Sequence, residues 1–523
     1  MKKRYKHSLS YYRLLTCNMG LLIPAGVVEV LPGDTFQHST SLFMRLSPLV
    51  TPPMHPVVAT VHHWYTPFRL VWNNFESFIT GGEDGLDTHT IPIITIPTSG
   101  VTSGSLMDYF GVPIGPIPAP LPVSALVMRA YRLIFKEWYR DEDLVTKDIS
   151  GDIDTGDGPD SSDFCSTLPF GHAWAKDYFT SASPWPQKGP GITVPVQGAT
   201  INPPQIGVTL RPSSGDVGPR FVRSTSLTYP GQLGARTEAE SGTAESNVII
   251  GNGPVGANTH QGLAWDPSHI GLTADVDYKP GASTMGSIDI NQLREAFALQ
   301  RFEEHRALYG SRYTEYLRYL GVRASDARLQ RPEYLGGGRQ TIQFSEVLQT
   351  EPVSTSPAGT MAGHGIMGLR TPRYRRFFEE HGLVISLLHV QPLSIYMQSL
   401  PRMWSRRTKE DFWQKELEHI GEQEILNKEL YMPSPEPDGV FGYQAKYDEY
   451  RSHESTVTGE FRTVLKDWHF AREFSNQPNL NSEFVYGAPT RRPFAAQQND
   501  VLYCMIHHSI QARRLVSKRG NPI

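Results

Sequence analysis

Between Val27 and Gly82 the hydrophobic period of the chain changes, and the change limits what can be built around it. In VVEVLPGDTFQHSTSLFMRL, Leu42, Met44 and Leu46 alternate with Ser41, Phe43 and Arg45. A two-residue period sends one set to a core and the other to the opposite face, which predicts a strand with one buried side. PVVATVHHWY supplies a second β-branched and aromatic run, again a strand signal. In TPFRLVWNNFESFITGG the apolar residues Phe68, Val71, Trp72, Phe75, Phe78 and Ile79 recur at three- and four-residue steps. With Thr66 as N-cap, Pro67 at the first helical position and Gly81-Gly82 as the stop, this segment predicts a helix.

The rest of the chain favours turns. It has 46 glycines and 41 prolines in 523 residues, which argues against a helical bundle, while 39% hydrophobic content is enough for a substantial core. IPIITIP reads as a short strand, and MDYFGVPIGPIPAPLP as irregular. LPVSALVMRAYRLIFKEWYRDEDLV carries one apolar stripe through Leu126, Val127, Ala130, Tyr131, Ile134, Phe135 and Trp138, with Pro122 near its start, and predicts a core-packed helix. Residues 146–163 are acidic and nearly devoid of apolar groups, and read as a surface loop. Residues 198–287 are dense in Gly, Ser, Thr, Asn and Pro. A structureless loop of that length is implausible within a compact domain, so a surface insertion with some β structure of its own is expected. Residues 288–321 form a helical insertion, with Asp289 and Gln292 as a capping box and Gly310 and Gly321 as terminators. GLVISLLHVQPLSIYMQ then reads as buried strand, with Pro392 marking a break.

Formal net charge is −4, so no overall basic field would attract nucleic acid. The two ends differ from the body. Lys2, Lys3, Arg4, Lys6 and Arg13 precede the first acidic residue, and Arg513, Arg514, Lys518 and Arg519 follow the last. Lys2, Lys3, Arg4, Lys6, Arg513, Arg514, Lys518 and Arg519 are the candidate DNA contacts, since each phosphate neutralised releases counterions. Tyr5, Tyr11 and Tyr12 are placed to stack on unpaired bases or to pack on a neighbour. Trp265 and Tyr278 are the aromatic residues of the 198–287 insertion that would suit a glycan.

Catalytic and cofactor patterns are missing. Gly251-Gly253-Gly256 and Gly363-Gly365-Gly368 fit GxGxxG but lack the strand-before, helix-after context, and are expected to be glycine loops. His62-His63 and His507-His508 are adjacent pairs; in a strand their side chains point to opposite faces and cannot share one ion. Asp152, Asp154 and Asp157 miss the calcium-loop pattern, which needs Gly at the sixth position and Glu at the twelfth. Cys17, Cys165 and Cys504 are widely spaced, so neither a disulfide framework nor a metal set is expected, and synthesis in a reducing compartment is. LLTCNMGLLIPAG is too broken for a signal peptide, and no apolar stretch is long enough to insert in a membrane. No enzyme activity, cofactor or metal is assigned.

Several segments carry a resemblance. EVLPGDTF, SPLVTPPMHPVVATVHHWYTPFRLVW, FESFITGG, the segment from Glu137 to Asp141, AKDYFTSASPWPQKGP and INQLREAFALQRFEE are, in this order, similar to the major capsid proteins of microviruses (Microviridae), small icosahedral single-stranded DNA bacteriophages. YGSRYTEYLRYLGVRASDARLQRPEYLGGGRQTIQFSEVLQT extends it, and IGEQEILNKELY and FGYQAKYDEYRS complete the order. The pattern of residues supports a β core with inserted helices. The resemblance implies a mainly β, eight-stranded antiparallel jelly-roll β-sandwich over 1–523, with long loop and helical insertions. It further implies a structural subunit that self-assembles into a T=1 icosahedral shell around circular single-stranded DNA. The virion would be its location, the host bacterial cytoplasm its place of synthesis, and other viral structural or scaffolding proteins its partners. The alternative is a jelly-roll carbohydrate-binding or cupin-like protein without shell assembly, which would need convergent ligands that the sequence does not show.

Overall fold

The computed structural model describes residues 4–145 (except 83 and 85), 154–192 (except 190), 290–309, 313–350 (except 323, 324, 328 and 329) and 359–518, and between 193 and 289 the backbone of short strands. The chain forms two compact units: Met1–Gly191 with Leu299–Ile523, and Ile192–Ala298.

The first unit is mainly β. Its strands are β1 (Tyr5–Ser8), β2 (Tyr11–Cys17), β3 (Ile23–Val30), β4 (Thr35–Leu46), β5 (Val57–Pro67) and β6 (Glu333–Thr341). They are followed by β7 (Gln343–Leu348), β8 (Met361–Arg370), β9 (Tyr374–Phe377), β10 (Gly382–Pro392) and β11 (Leu502–Arg514). A seven-stranded antiparallel sheet runs β1–β11–β4–β8–β7, with β2 also on β11 and β9 also on β4; a four-stranded sheet runs β6–β5–β10–β3. The alternation in β4 is the reason they pack. Leu42, Met44 and Leu46 meet Val57, Ala59 and Val61 of β5, Leu388 and Val390 of β10 and Ile506 of β11 in one buried cluster. This is consistent with a β-sandwich.

A helical layer covers the far face of the four-stranded sheet. α1 (Phe75–Thr80), α2 (Leu106–Phe110) and α3 (Leu126–Ile134) lie here. Trp72, Leu106, Met128 and Tyr131 pack there on Trp64, Leu383, Ile385 and Leu387. Covered on both sides, β10 is buried at every position, which is why GLVISLLHV reads as a continuous apolar run and not as an alternation. α4 (Ile290–Tyr309) and α5 (Tyr313–Tyr319) form the helical pair, with Gly321 left-handed at the end of α5; Asp289 and Gly310 lie outside the described residues.

Several expectations need correction. The periodic stretch after Thr66 is not one helix: β5 continues to Pro67, a 3₁₀ turn follows at Phe68–Leu70, and only Phe75–Thr80 is α-helical. The backbone N–H of Phe68 donates to His381 O at 3.1 Å, tying the turn to the start of β10. Gly81 does supply the left-handed stop. MDYF is helical, within α2, capped by the Ser105 side chain. Pro122 lies in a strand, Leu121–Ser124, paired with Ile93–Ile96. Gly363, Gly365 and Gly368 lie in strand β8, not a loop; Gly253 and Gly256 lie outside the described residues. Cys17, distant from Cys504 in sequence, is its neighbour across the β2–β11 ladder, and both thiols are free and buried.

Gly363 in β8 has a steric reason. A Cβ on Gly363 would stand 2.6 Å from Thr51 O and 2.7 Å from Pro52 Cα, because the Leu49 backbone exchanges hydrogen bonds with Gly363. Gly363→Val is therefore expected to cost about 1–3 kcal/mol by overpacking, read as a lowered urea midpoint with unchanged slope.

The second unit is described by its backbone. Thr200–Ile201 pairs Ser283–Thr284, Gln205–Pro212 pairs Leu272–Lys279, Phe221–Ser224 pairs Gly262–Trp265, and Gly234–Arg236 pairs Ile249–Gly251, each pair nested in the one before. The side chains of Trp265 and Tyr278 lie outside the described residues.

Candidate nucleic-acid interface

The chain's two basic ends are brought together by pairing. β1 and β11 run antiparallel with Lys6 opposite Arg513, Tyr5 opposite Arg514 and His7 opposite Ala512. Directly opposed residues share a face, so Lys6 and Arg513 project together, and both are exposed. Two like charges across a ladder are unfavourable unless an anion stands between or above them.

That face is the side of the seven-stranded sheet turned away from the core. Along β11 it presents Tyr503, Met505, His507, Ser509, Gln511 and Arg513; β4 sets Arg45, Phe43, Ser41, Ser39, Gln37 and Thr35 opposite them. From β2 come Thr16, Leu14 and Tyr12, and from β8 Ile366, Gly368 and Arg370. Tyr12, 69% exposed, stacks on His507 with ring centroids 4.4 Å apart and planes 25° from parallel. The Arg45 guanidinium lies 5.6 Å from the Phe43 ring. Arg375 of β9 is exposed opposite Gln37, and Arg373 donates to Ser509 Oγ at 3.4 Å. None of the positions named on this face is a carboxylate. A groove of about 670 Å³ borders it, lined by Arg13, Leu14, Phe43, Arg45, Tyr503 and Met505 together with Asp108, Asp500 and the edge of Tyr109. Cations interleaved with exposed aromatic rings are the chemistry of a surface that tracks a phosphate backbone and stacks unpaired bases.

The sequence candidates divide. Lys6 and Arg513 lie on this face, and Lys518 is exposed just beyond it. Arg4 is exposed but leans on its own unit, donating to Gly33 O at 3.0 Å and Thr35 Oγ1 at 3.2 Å, 5.3 Å from the Phe377 ring. Arg514 faces the other way. It donates to Asp34 Oδ2 at 2.9 Å and to Glu29 O, over the Phe36 ring; burial pushes the Asp34 carboxyl up against the Leu31 N–H and this guanidinium. Lys2, Lys3 and Arg519 lie outside the described residues. Tyr11 is turned inward, its hydroxyl at the Val27 carbonyl. Sequence reasoning missed Arg45, Phe43, Arg370, Arg375, Tyr503 and Met505. The signal was the same alternation that identified the core, read on its polar side.

The other sequence candidates have internal partners. Asp157 accepts from Trp72 Nε1 at 2.5 Å, Asn74 Nδ2 at 3.0 Å and His89 Nδ1 at 2.7 Å, donors that hold its carboxyl below the usual range, Trp72 first. Asp152 lies outside the described residues. Among the described residues no group of three or more His, Cys, Asp or Glu is arranged to hold a metal ion, and no helix is long and apolar enough to cross a membrane.

Comparison with known proteins adds the context. Residues 1–523 match the family described as capsid protein (F protein). The chain is 35% identical to capsid protein VP1 of Bdellovibrio phage phiMH2K, covering 92% of this chain and 87% of that one. It is 33% identical to capsid protein VP1 of Chlamydia phage 1, over 95% and 92%. Capsid protein VP1 of Spiroplasma virus 4 is 29% identical, over 92% and 87%.

Proposed function

Since the chain belongs to the capsid protein (F protein) family and is a structural virion subunit, not an enzyme, we propose that its copies close into a T=1 icosahedral shell around circular single-stranded DNA. The observation that carries the DNA part is the outer face of the seven-stranded sheet, where Lys6, Arg45, Arg370, Arg375 and Arg513 are interleaved with Tyr12, Phe43 and Tyr503. This face lines the shell interior, and Lys518 extends it. Lys2, Lys3 and Arg519 are proposed contacts on their charge alone, while Arg4 and Arg514 mainly tie the edge down. The core of the subunit is an eight-stranded jelly roll, supported by two four-strand runs, β2–β11–β4–β8 and β6–β5–β10–β3. Residues 146–163, 198–287 and 288–321 are excursions from that core, available for the twofold and ring-closing contacts a closed shell requires. Synthesis in the host bacterial cytoplasm suits three buried free thiols, and other viral structural or scaffolding proteins are proposed partners. Family membership displaces the carbohydrate-binding or cupin-like alternative.

The test is oligo-dT binding by the purified full-length protein across a salt series. Tyr12→Ala with Tyr503→Ala is expected to weaken binding by about 1–3 kcal/mol per lost stack. Lys6→Gln with Arg513→Gln is expected to reduce the slope of log K against log salt by about 1.4, near 0.7 per phosphate contact on a single strand. Unchanged affinity and slope in both variants would remove this face as the DNA contact.

A further inference from the structure

We propose that two histidine triads on opposite faces of β5, His38–His63–His508 and His62–His172–His389, form an acid-release device that parts the four-stranded sheet from both of its neighbours. His62 and His63 are consecutive, so the strand sends one to each side.

His63 faces the seven-stranded sheet. Its ring centroid lies 4.6 Å from that of His38 on β4, and His38 Nε2 stands 3.1 Å from Nδ1 of His508 on β11. His508 Nε2 stands 3.1 Å from the Ala25 carbonyl on β3, and the Tyr374 hydroxyl 3.0 Å from His38 Nδ1. The Thr40 hydroxyl stands between the two rings, 2.9 Å from His508 Nδ1 and 3.2 Å from His38 Nε2. The carbonyl can only accept, so neutral His508 carries its proton on Nε2 and accepts at Nδ1, from His38 Nε2 or from the Thr40 hydroxyl. A further proton on either ring makes a buried cation faced by hydroxyls, a carbonyl and other imidazoles, none of them an anion. His63 Nδ1 pairs with Ser386 Oγ at 2.8 Å, and its Nε2 is buried with no hydrogen-bond partner among the described residues.

On the other side, His62 Nδ1 lies 2.8 Å from the Tyr139 hydroxyl below α3, and its ring centroid 5.5 Å from that of His389 on β10. His389 is stacked on His172 of the covering loop, centroids 3.6 Å apart and planes 9° from parallel. His172 Nδ1 faces Gln391 Oε1 at 3.0 Å. Two imidazolium rings at that separation repel.

The titratable and charged groups facing the first triad are Tyr11 and Tyr374, with Arg13 and His507 acting on His508 as like charges. Those facing the second are Tyr139 and Tyr334. None is a carboxylate that would compensate a cation. Burial, reinforced by neighbouring imidazoles, takes His38 down to about 2, His63 to about 3 and His62 to about 4. Burial takes His508 to about 4, and lowers His172 and His389 too. Because the folded values lie below the unfolded value of about 6.5, the stability these groups hold is complete above that pH. It is lost as pH falls from about 6.5 toward 4, each group costing about tenfold in the folded-to-unfolded ratio per pH unit.

The experiment is urea unfolding of the full-length protein from pH 7.5 to 5.0, with histidine C2–H exchange read by mass spectrometry on assembled particles. Between pH 6 and 5 the unfolding constant is expected to rise by about a thousandfold or more, equivalent to uptake of at least three protons. His63→Gln with His389→Gln is expected to remove about two of them. In the particles, the triad imidazoles are expected to stay neutral and exchange slowly until the shell opens. An unfolding constant that changes less than tenfold overturns the proposal. So does full titration of the triads in particles that remain closed, a readout that holds even where the double variant does not fold.

Discussion

Arg129→Met is expected to cost about 3–5 kcal/mol of stability, the usual loss when one partner of a buried ion pair is removed. Arg129 is 1% exposed on α3. It donates to both Asp160 oxygens, Nε at 2.9 Å and Nη2 at 2.5 Å, and from Nη1 to the carbonyls of Val71 at 3.1 Å and Gly156 at 2.9 Å. One guanidinium thus joins the turn after β5, the described end of the acidic loop and α3. Methionine replaces the volume but leaves a carboxylate and two carbonyls without their donor. Arg129→Met with Asp160→Asn should recover part of the loss, because the stranded charge is then gone. Urea midpoints and yield of assembled particles check both; a single-variant loss below about 1 kcal/mol would show that the site relaxes or admits water.

Trp72→Ala should be comparably severe, about 3–5 kcal/mol. The indole is fully buried between the four-stranded sheet and the helical layer, its ring 6.0 Å from Phe75 and 5.0 Å from Phe78. Trp72→Phe separates packing from polarity. It keeps much of the apolar volume and removes the N–H to Asp157, which retains Asn74 and His89. The phenylalanine variant should therefore lie much nearer the parent than the alanine variant. Equal losses would mean that the indole N–H, and not its volume, anchors the acidic loop.

The strands were legible because a two-residue period has few other causes. Leu42, Met44 and Leu46 are all buried, and Phe43 and Arg45 exposed. The segment after Thr66 was misread for a related reason. Phe68, Val71 and Trp72 do face one surface, but a 3₁₀ turn and a short loop laid on the far side of the sheet satisfy that spacing as well as a helix does. Gly363 was misread because its cause, the chain at Thr51 and Pro52, is remote in sequence. The basic residues at the two ends were visible as composition, but not which were spent internally. Arg513 and Arg514 differ by one position, and strand parity sends the first outward and the second to Asp34. Arg370 and Arg375 join the same face only through pairing with β4, a relation that no local pattern encodes.

The position of β11 has a consequence for synthesis. It lies between β2 and β4, so Leu46 finds its cross-strand partner only when Leu502 has been made. Until then a nascent chain on the ribosome holds β4 with that edge open, a template for wrong pairing. Contacts this distant in sequence form slowly. Translation must therefore run almost through β11 before the sandwich can close, and a ribosome that stalls earlier releases a product unable to enter a particle.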